Sequence, residues 1–69
     1  MNRIPVSSSN IAEVGYDEQS NTMEILFTNH SVYQYFDVPK NVHNALISAA
    51  SVGQFFHQQI RGQYRFAKA

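Results

Sequence analysis

The three histidines are the side chains in this sequence best suited to moving a proton or binding a metal ion. They are His30, His43 and His57. A histidine metal site on a helix usually has a second ligand three or four residues away, and neither His43 nor His57 has one. The spacing therefore predicts surface or half-buried histidines and no metal site.

Catalytic groups of other kinds are not indicated either. A nucleophile needs an activating base that a third group orients, and none of the serines lies in a nucleophile-elbow pattern. With only three glycines, the chain has no glycine-rich phosphate loop. Four carboxylates could pair for acid–base catalysis, but we interpret them as acids on the solvent faces of strands: Glu13, Asp17, Glu24 and Asp37. We therefore expect no enzyme activity, catalytic residue or cofactor.

One feature that could bind a ligand is the Tyr33-Gln34-Tyr35 segment, whose two tyrosines share a strand face. If that face is exposed, it is a stacking platform of the kind that binds single-stranded nucleic acid. If it faces the helices, the rings belong to the core and the hydroxyls lie at its rim. The small size of the chain favours the core, and both alternatives stay open.

The second feature is the run from Arg61 to Lys68, in which basic residues alternate with aromatic ones. Such a run could contact phosphates and stack on bases. Alternatively, Tyr64 and Phe66 attach the tail to the core while the cations stay solvated. The candidate ligand-binding residues from both features are Tyr33, Tyr35, Arg61, Tyr64, Arg65 and Lys68. If the four cations of the carboxyl-terminal half contact phosphates of a single strand, the logarithm of the binding constant falls with the logarithm of the salt concentration with a slope of about −2 to −3. So few contacts predict weak binding at physiological salt.

Length and composition limit the elements that can position these residues. The 69 residues make one domain, and with no cysteine it has no disulfide or thiolate metal site. Hydrophobic residues, 43% of the chain, must supply the core. The amino terminus lacks a signal-peptide pattern and no segment is long enough to cross a bilayer, so we expect a cytoplasmic protein.

The net charge of zero conceals an uneven distribution along the chain. Residues 1–37 contain five acidic residues and one basic residue, whereas residues 38–69 contain four basic residues and no acidic one. Halves of opposite charge suit head-to-tail or two-fold contacts between molecules. A protein partner, including a second copy of the chain, is therefore the alternative to RNA.

Three segments have the patterns of strands, at residues 11–16, 22–27 and 32–36. Short turns join them, which predicts a three-stranded antiparallel meander preceded by an extended arm at residues 1–9. In the first strand, alternation puts Ala12, Val14 and Tyr16 on one face and Ile11 on the other.

The turn before the third strand leaves the register open. A loop with an even number of residues pairs Phe27 with Val32 and puts both tyrosines on the face opposite Ile25. A loop with an odd number puts them beside Phe27 and Ile25. A shift of one residue inverts every side chain of the strand.

Two short helices are predicted to follow and to cover one face of the sheet, which makes the fold class α+β. The first begins near Pro39, with Asp37 close to the donors of its first turn. Ser51 and Gln54 have the spacing of a capping box at the start of the second, and Gly62 ends it. Residues 63–66 are predicted to form a short carboxyl-terminal strand or an extended tail, and residues 67–69 a frayed end.

The order of features along nearly the whole chain resembles the KTSC domain, named for its occurrence at the carboxyl terminus of some lysyl-tRNA synthetases. The resemblance rests on Tyr33-Gln34-Tyr35 together with these segments: residues 4–10, 15–17, Phe27, 38–39, 51–56, 60–61 and Tyr64.

The resemblance implies a bacterial domain of about sixty residues, appended to synthetases or alone, with a suggested role in RNA binding and no catalytic residue. It implies that Tyr33 and Tyr35 are the motif residues. Ser8, Ser51, Gly53 and Tyr64 also fit the pattern. His30 stands where the family often has glycine, and His57 where asparagine is common.

Overall fold

The computed structural model describes all of residues 1–69 as a sheet with helices on one face. Five antiparallel strands follow one another in the order β1-β2-β3-β4-β5. The strands are β1 (Arg3–Pro5), β2 (Ile11–Asp17), β3 (Thr22–Phe27), β4 (Val32–Tyr35) and β5 (Phe66–Lys68). Between β4 and β5 come α1 (Lys40–Ile47) and α2 (Val52–Phe55), and α2 continues without a break into a π-helical turn (Phe56–Ile60).

The α+β class, the antiparallel sheet and the two helices are confirmed, but the expected number of three strands is wrong. The predicted extended arm contains β1, which pairs Arg3 with Gly15. The short carboxyl-terminal strand lies at residues 66–68 rather than 63–66, and its last residues are not a frayed end. The Ala69 amide donates to the Val32 carbonyl at 2.8 Å. Backbone pairing with β4 makes this segment a strand, although its residues are exposed.

The first strand of the predicted meander contains a β-bulge between Ile11 and Glu13. Ile11 lies opposite Phe27, and Val14 lies opposite Ile25. The extra residue shifts the alternation, so Ile11 points to the core, where it is 1% exposed. The prediction that Ile11 and Val14 face opposite ways is therefore wrong.

Leu26 pairs with Val32, so Phe27 faces Ser31 and three residues, 28–30, form the turn between them, which is the odd alternative. The Phe27 amide donates to the Ser31 carbonyl at 2.9 Å, and the His30 amide donates to the Phe27 carbonyl at 3.0 Å. His30 has φ = 73°, the left-handed conformation that closes such a loop. Tyr33 is consequently paired with Ile25, and both side chains point toward the helices.

The first helix begins differently from the prediction. Pro39 is the N-cap residue, with no side-chain hydrogen bond to the first turn. Asp37 has φ = 57° and forms an ion pair with Arg65, 2.8 Å away, so its carboxylate does not cap α1. Leu46 is the fully buried residue of this helix, and Val42 packs beside the core.

The second helix begins as predicted. The Ser51 hydroxyl accepts a hydrogen bond from the Gln54 amide at 3.3 Å. Val52, Phe56 and Ile60 are buried along the helix and its π-helical turn. Gly62 follows with φ = 80°, a conformation that glycine adopts without a steric penalty.

Side chains from both layers form one core. Its ten buried residues are Ile11, Val14, Met23, Ile25, Tyr35, Val38, Leu46, Val52, Phe56 and Ile60. The helices are all too short to span a bilayer.

Two ion pairs join basic residues of the carboxyl-terminal half to acidic residues of the amino-terminal half. Lys40 pairs with Glu18, and Arg65 pairs with Asp37, which neutralises charges across the boundary at residue 37. Arg3 pairs with Glu13 at 3.2 Å and Glu24 at 3.4 Å on the uncovered sheet face. Two of the four cations in residues 38–69 are therefore paired with acidic residues of the amino-terminal half.

Candidate ligand-binding groove

An open groove with a volume of about 1350 Å³ runs along the helix-covered side of the sheet. It lies between α2 with its π-helical turn and the loops at one end of the sheet. We call it the aromatic groove, after the rings that line it: Phe27, Tyr33, Tyr35, Phe56 and Phe66.

The rings of the aromatic groove pack against one another from two layers. Phe56 of the π-helical turn packs edge-on against Tyr35, with ring centroids 5.5 Å apart. Phe66 of β5 lies 5.9 Å from Tyr33 and 5.7 Å from Tyr35, in tilted arrangements. Phe66 is still 58% exposed, so much of its ring is accessible to a ligand.

Hydroxyls and amides surround the rings. They come from the amino-terminal turn, the β3–β4 loop and α2: Ser7, Ser8, Ser9, Asn10, Thr28, Asn29, Ser31, Ser51, Gln54 and Gln58. The rim thus offers both hydrogen-bond donors and acceptors for a polar ligand.

The amino-terminal turn is held in place by Ser8. Its hydroxyl accepts hydrogen bonds from the amides of Asn10, at 3.2 Å, and Ile11, at 3.3 Å. Gly53 faces this turn, and a Cβ atom at that position would lie 3.3 Å from the Ser8 hydroxyl oxygen. The glycine therefore allows α2 to approach the turn and form that end of the groove.

The charged and titratable groups near the rings favour an anion. Arg61 and His57 line the aromatic groove, with 3.4 Å between a guanidinium nitrogen and the imidazole Nδ1, whereas no Asp or Glu does. Burial and the neighbouring Tyr33 raise the pKa of Tyr35, while the positive charge of Arg61 acts in the opposite direction. Tyr35 is therefore a neutral hydrogen-bonding group beside a cation at neutral pH.

The structure brings together some of the six predicted site residues. Tyr33, Tyr35 and Arg61 all line the aromatic groove. Lys68 is paired with Tyr33 in the β4–β5 register, so the two side chains share a sheet face. The tyrosines are not a free platform on the uncovered face, because Tyr35 is only 5% exposed.

Tyr64 and Arg65 lie outside this cluster. They line a separate shallow depression with Phe36. Arg65 donates to Asp37 at 2.8 Å and lies over the Phe36 ring, 5.6 Å from its centroid. Arg65 therefore already has an anionic partner within the chain.

The sequence does not predict several residues of the groove. The sequence predicts His57 only as a surface or half-buried histidine, and residues 7–9 only as part of an extended arm. The resemblance drew attention to Ser8 and Gly53, but the contact between them depends on how α2 packs. The long-range packing of β5 makes Phe66 a wall of the groove.

The remaining histidine, His43, belongs to the packing of α1 on β2. Its ring stacks on Tyr16, with centroids 4.7 Å apart. The Tyr16 hydroxyl donates to the Val38 carbonyl at 2.6 Å, which attaches the strand to the segment before α1. No cluster of three or more His, Asp or Glu side chains is placed to hold a metal ion.

The fold and the groove define a small two-layer α+β domain with an aromatic cleft beside its carboxyl-terminal strand. The chain belongs to the KTSC domain family, whose sequence profile matches residues 7–64. It is similar over almost its whole length to a crystal structure of a KTSC domain protein from Yersinia pestis. The TM-score is 0.96 and the identity 41%, covering 99% of this chain and 96% of the other.

Relatives occur both as small proteins and inside long ones. An uncharacterized protein of Stutzerimonas stutzeri is 36% identical over 67 residues, covering 96% of this chain and 94% of that protein. A lysine–tRNA ligase of Trichormus variabilis is 40% identical over 56 residues, covering 81% of this chain but only 10% of the ligase. The chain thus corresponds to a small part of the ligase.

Proposed function

We propose that this domain is a non-catalytic module that binds single-stranded RNA through the aromatic groove, in the cytoplasm. The observation that carries the proposal is the position of the exposed Phe66 ring beside Tyr33, with Arg61 on the same groove and no carboxylate among the lining residues. The relatives among lysine–tRNA ligases support it, because those proteins act on tRNA.

The chemistry of the groove suits an unpaired nucleotide. A base can stack on the accessible Phe66 ring, and base–aromatic stacking contributes about 1–3 kcal/mol per base. The hydroxyls and amides of the rim can hydrogen-bond to base edges and ribose hydroxyls. Arg61 and Lys68 have no carboxylate partner, so their charges are available for phosphates.

The number of available cations predicts weak, salt-sensitive binding. Because Arg3, Lys40 and Arg65 are paired within the chain, two side chains remain to contact phosphates. Two contacts correspond to a log–log salt slope of about −1.4 on single strands. Stacking in the groove must then contribute a large share of the affinity.

The test is an NMR titration of the domain with a short single-stranded RNA and with tRNA, at low and at physiological salt. We expect chemical-shift changes at Tyr33, Arg61 and Phe66 that weaken as salt rises. Phe66→Ala and Arg61→Gln should each weaken binding about tenfold or more, the first through lost stacking. Lys40→Gln is the matched control, because Lys40 is exposed and does not line the groove.

Two outcomes of the titration would contradict the proposal. If millimolar RNA in low salt shifts no groove resonance, the domain does not bind RNA. If Lys40→Gln weakens binding as much as Arg61→Gln does, the interaction is a general charge effect and the groove is not the site.

A further inference from the structure

The outer edge of β5 has an unpaired backbone. β5 is the last strand of the sheet, and its one neighbour is β4. The Phe36 amide donates to the Arg65 carbonyl at 2.9 Å, and the Ala69 amide donates to the Val32 carbonyl at 2.8 Å. Since backbone groups alternate in direction along a strand, the odd-numbered residues point to β4, and the N–H and C=O groups of Phe66 and Lys68 point outward.

The opposite edge of the sheet is less suited to pairing. β1 pairs Ile4 with Val14, and the Val6 amide donates to the Ala12 carbonyl, so the even-numbered residues point inward. Pro5 therefore points outward, and proline has no N–H to donate. Proline is a common means of protecting an edge strand, and β5 has no such residue.

The sequence of β5 is complementary to itself. We propose that a second copy of the chain pairs with β5 in antiparallel orientation, about a two-fold axis at Ala67. In this register, the Phe66 N–H and C=O groups meet those of the partner's Lys68, and the reciprocal pair forms as well, which makes four backbone hydrogen bonds.

The side chains favour this register over registers that are shifted along the strand. Phe66 and Lys68 share the groove face of the strand, so each ammonium group comes to lie beside the partner's aromatic ring. Lys68 has no carboxylate partner within the chain, and an ammonium group is attracted to the face of a phenylalanine ring. A register that placed Lys68 opposite its own copy would bring two like charges together.

The assembled dimer has a continuous ten-stranded sheet, since each copy contributes five strands. An axis perpendicular to the sheet keeps both aromatic grooves on the same side, one on each flank of the paired β5 strands. Because β5 has only three residues, the contact is small and the dimer forms at high protein concentration. The backbone pairing uses the outer edge of β5 and RNA binding uses the groove, but the two proposals share the Phe66 and Lys68 side chains, so the dimer is tested in the absence of RNA.

Sedimentation velocity over a wide range of protein concentrations tests the assembly, and amide hydrogen exchange tests its geometry. We expect a reversible monomer–dimer equilibrium. The amides of Phe66 and Lys68 should become protected as concentration rises. The Ala69 amide is the internal control, because its bond to Val32 protects it at every concentration.

Lys68→Pro removes one outward-pointing N–H from each copy and leaves the bonds to β4 in place. We expect this variant to raise the dissociation constant about tenfold or more, since two hydrogen bonds are lost in the dimer. Continued protection of the Ala69 amide in the variant shows that β5 still pairs with β4. Lys68→Gln keeps the N–H and should weaken the dimer less.

A protein that stays monomeric up to millimolar concentration overturns the proposal. So does a dimer in which the Phe66 and Lys68 amides exchange as fast as in the monomer, because its interface then lies elsewhere.

Discussion

Burial of the His43 side chain makes the stability of the fold depend on pH. Its Nδ1 is buried without a hydrogen-bond partner, and its ring stacks on Tyr16. Burial lowers the pKa of His43 from its ordinary value of 6.5; a hydrogen bond with the Asn44 side chain acts in the opposite direction, and the positive charge of Lys40 lowers the pKa further. In the folded protein, therefore, the ring is neutral at pH values where a solvated histidine would already be charged.

This lowered pKa predicts that the protein loses stability in mild acid. As the pH falls through about 6.5, His43 in the unfolded chain binds a proton, while the folded chain takes it up only at lower pH. The free energy of unfolding should fall across that window and level off below the folded-state pKa. His43→Gln should reduce this decline, as measured by urea unfolding between pH 8 and 5.

His57→Gln is the control for the His43 measurement, because His57 is exposed on the groove. It should leave the pH dependence close to that of the unmodified protein. An equal decline in the unmodified protein and in His43→Gln would show that His43 does not cause the acid sensitivity.

At the scale of the element, the β3–β4 hairpin decides which side of the sheet carries the two motif tyrosines. The three-residue loop depends on His30 in the left-handed region, with φ = 73°. Histidine adopts this conformation less readily than glycine but more readily than a β-branched residue. The departure from the family's usual glycine therefore does not prevent the tight turn.

Substitutions at His30 should test this turn. His30→Val should lower the free energy of unfolding by about 1–2 kcal/mol, because a β-branched side chain is strained in the left-handed region. His30→Gly should not lower it, since glycine adopts that conformation without a steric penalty. Urea unfolding of the two variants measures the difference, and equal losses would mean that the backbone conformation of residue 30 contributes little.

At the scale of the whole molecule, the core is small and each buried side chain contributes a large share of the stability. Ten hydrophobic residues are buried, and Ile60 is among those with no exposed surface. A domain of this size has a free energy of unfolding on the order of 5 kcal/mol, which is comparable to the cost of one large cavity.

Ile60→Ala should therefore cost about 2–5 kcal/mol and leave part of the protein unfolded at 37 °C. Thermal unfolding followed by circular dichroism would show this as a much lower midpoint temperature. Ile4→Ala is the matched control, since Ile4 is 48% exposed and should lose less than about 1 kcal/mol. Similar losses in both variants would indicate that the π-helical turn is not part of the core.

Much of the local structure follows from the sequence. Alternation of apolar residues predicts β3, and the spacing of Ser51 and Gln54 predicts the start of α2 that the structure shows. The order of motifs also identifies the family. These features are predictable because they depend on residues within a few positions of one another.

The groove depends on features that local patterns do not specify. The bulge after Ile11 and the left-handed residue His30 each shift the alternation by one position, and together they decide which side chains face the helices. Strand β5 pairs with β4 across about thirty intervening residues, so the place of Phe66 depends on how both helices pack.

For this protein, the sequence by itself determined the α+β class, the family and the candidate tyrosines and cations. Only the tertiary structure decided that Tyr33, Tyr35 and Arg61 share a groove while Arg65 pairs with Asp37. The physical reason is that periodicity is a local property of the chain, whereas strand register and ion pairing join residues that are distant in sequence.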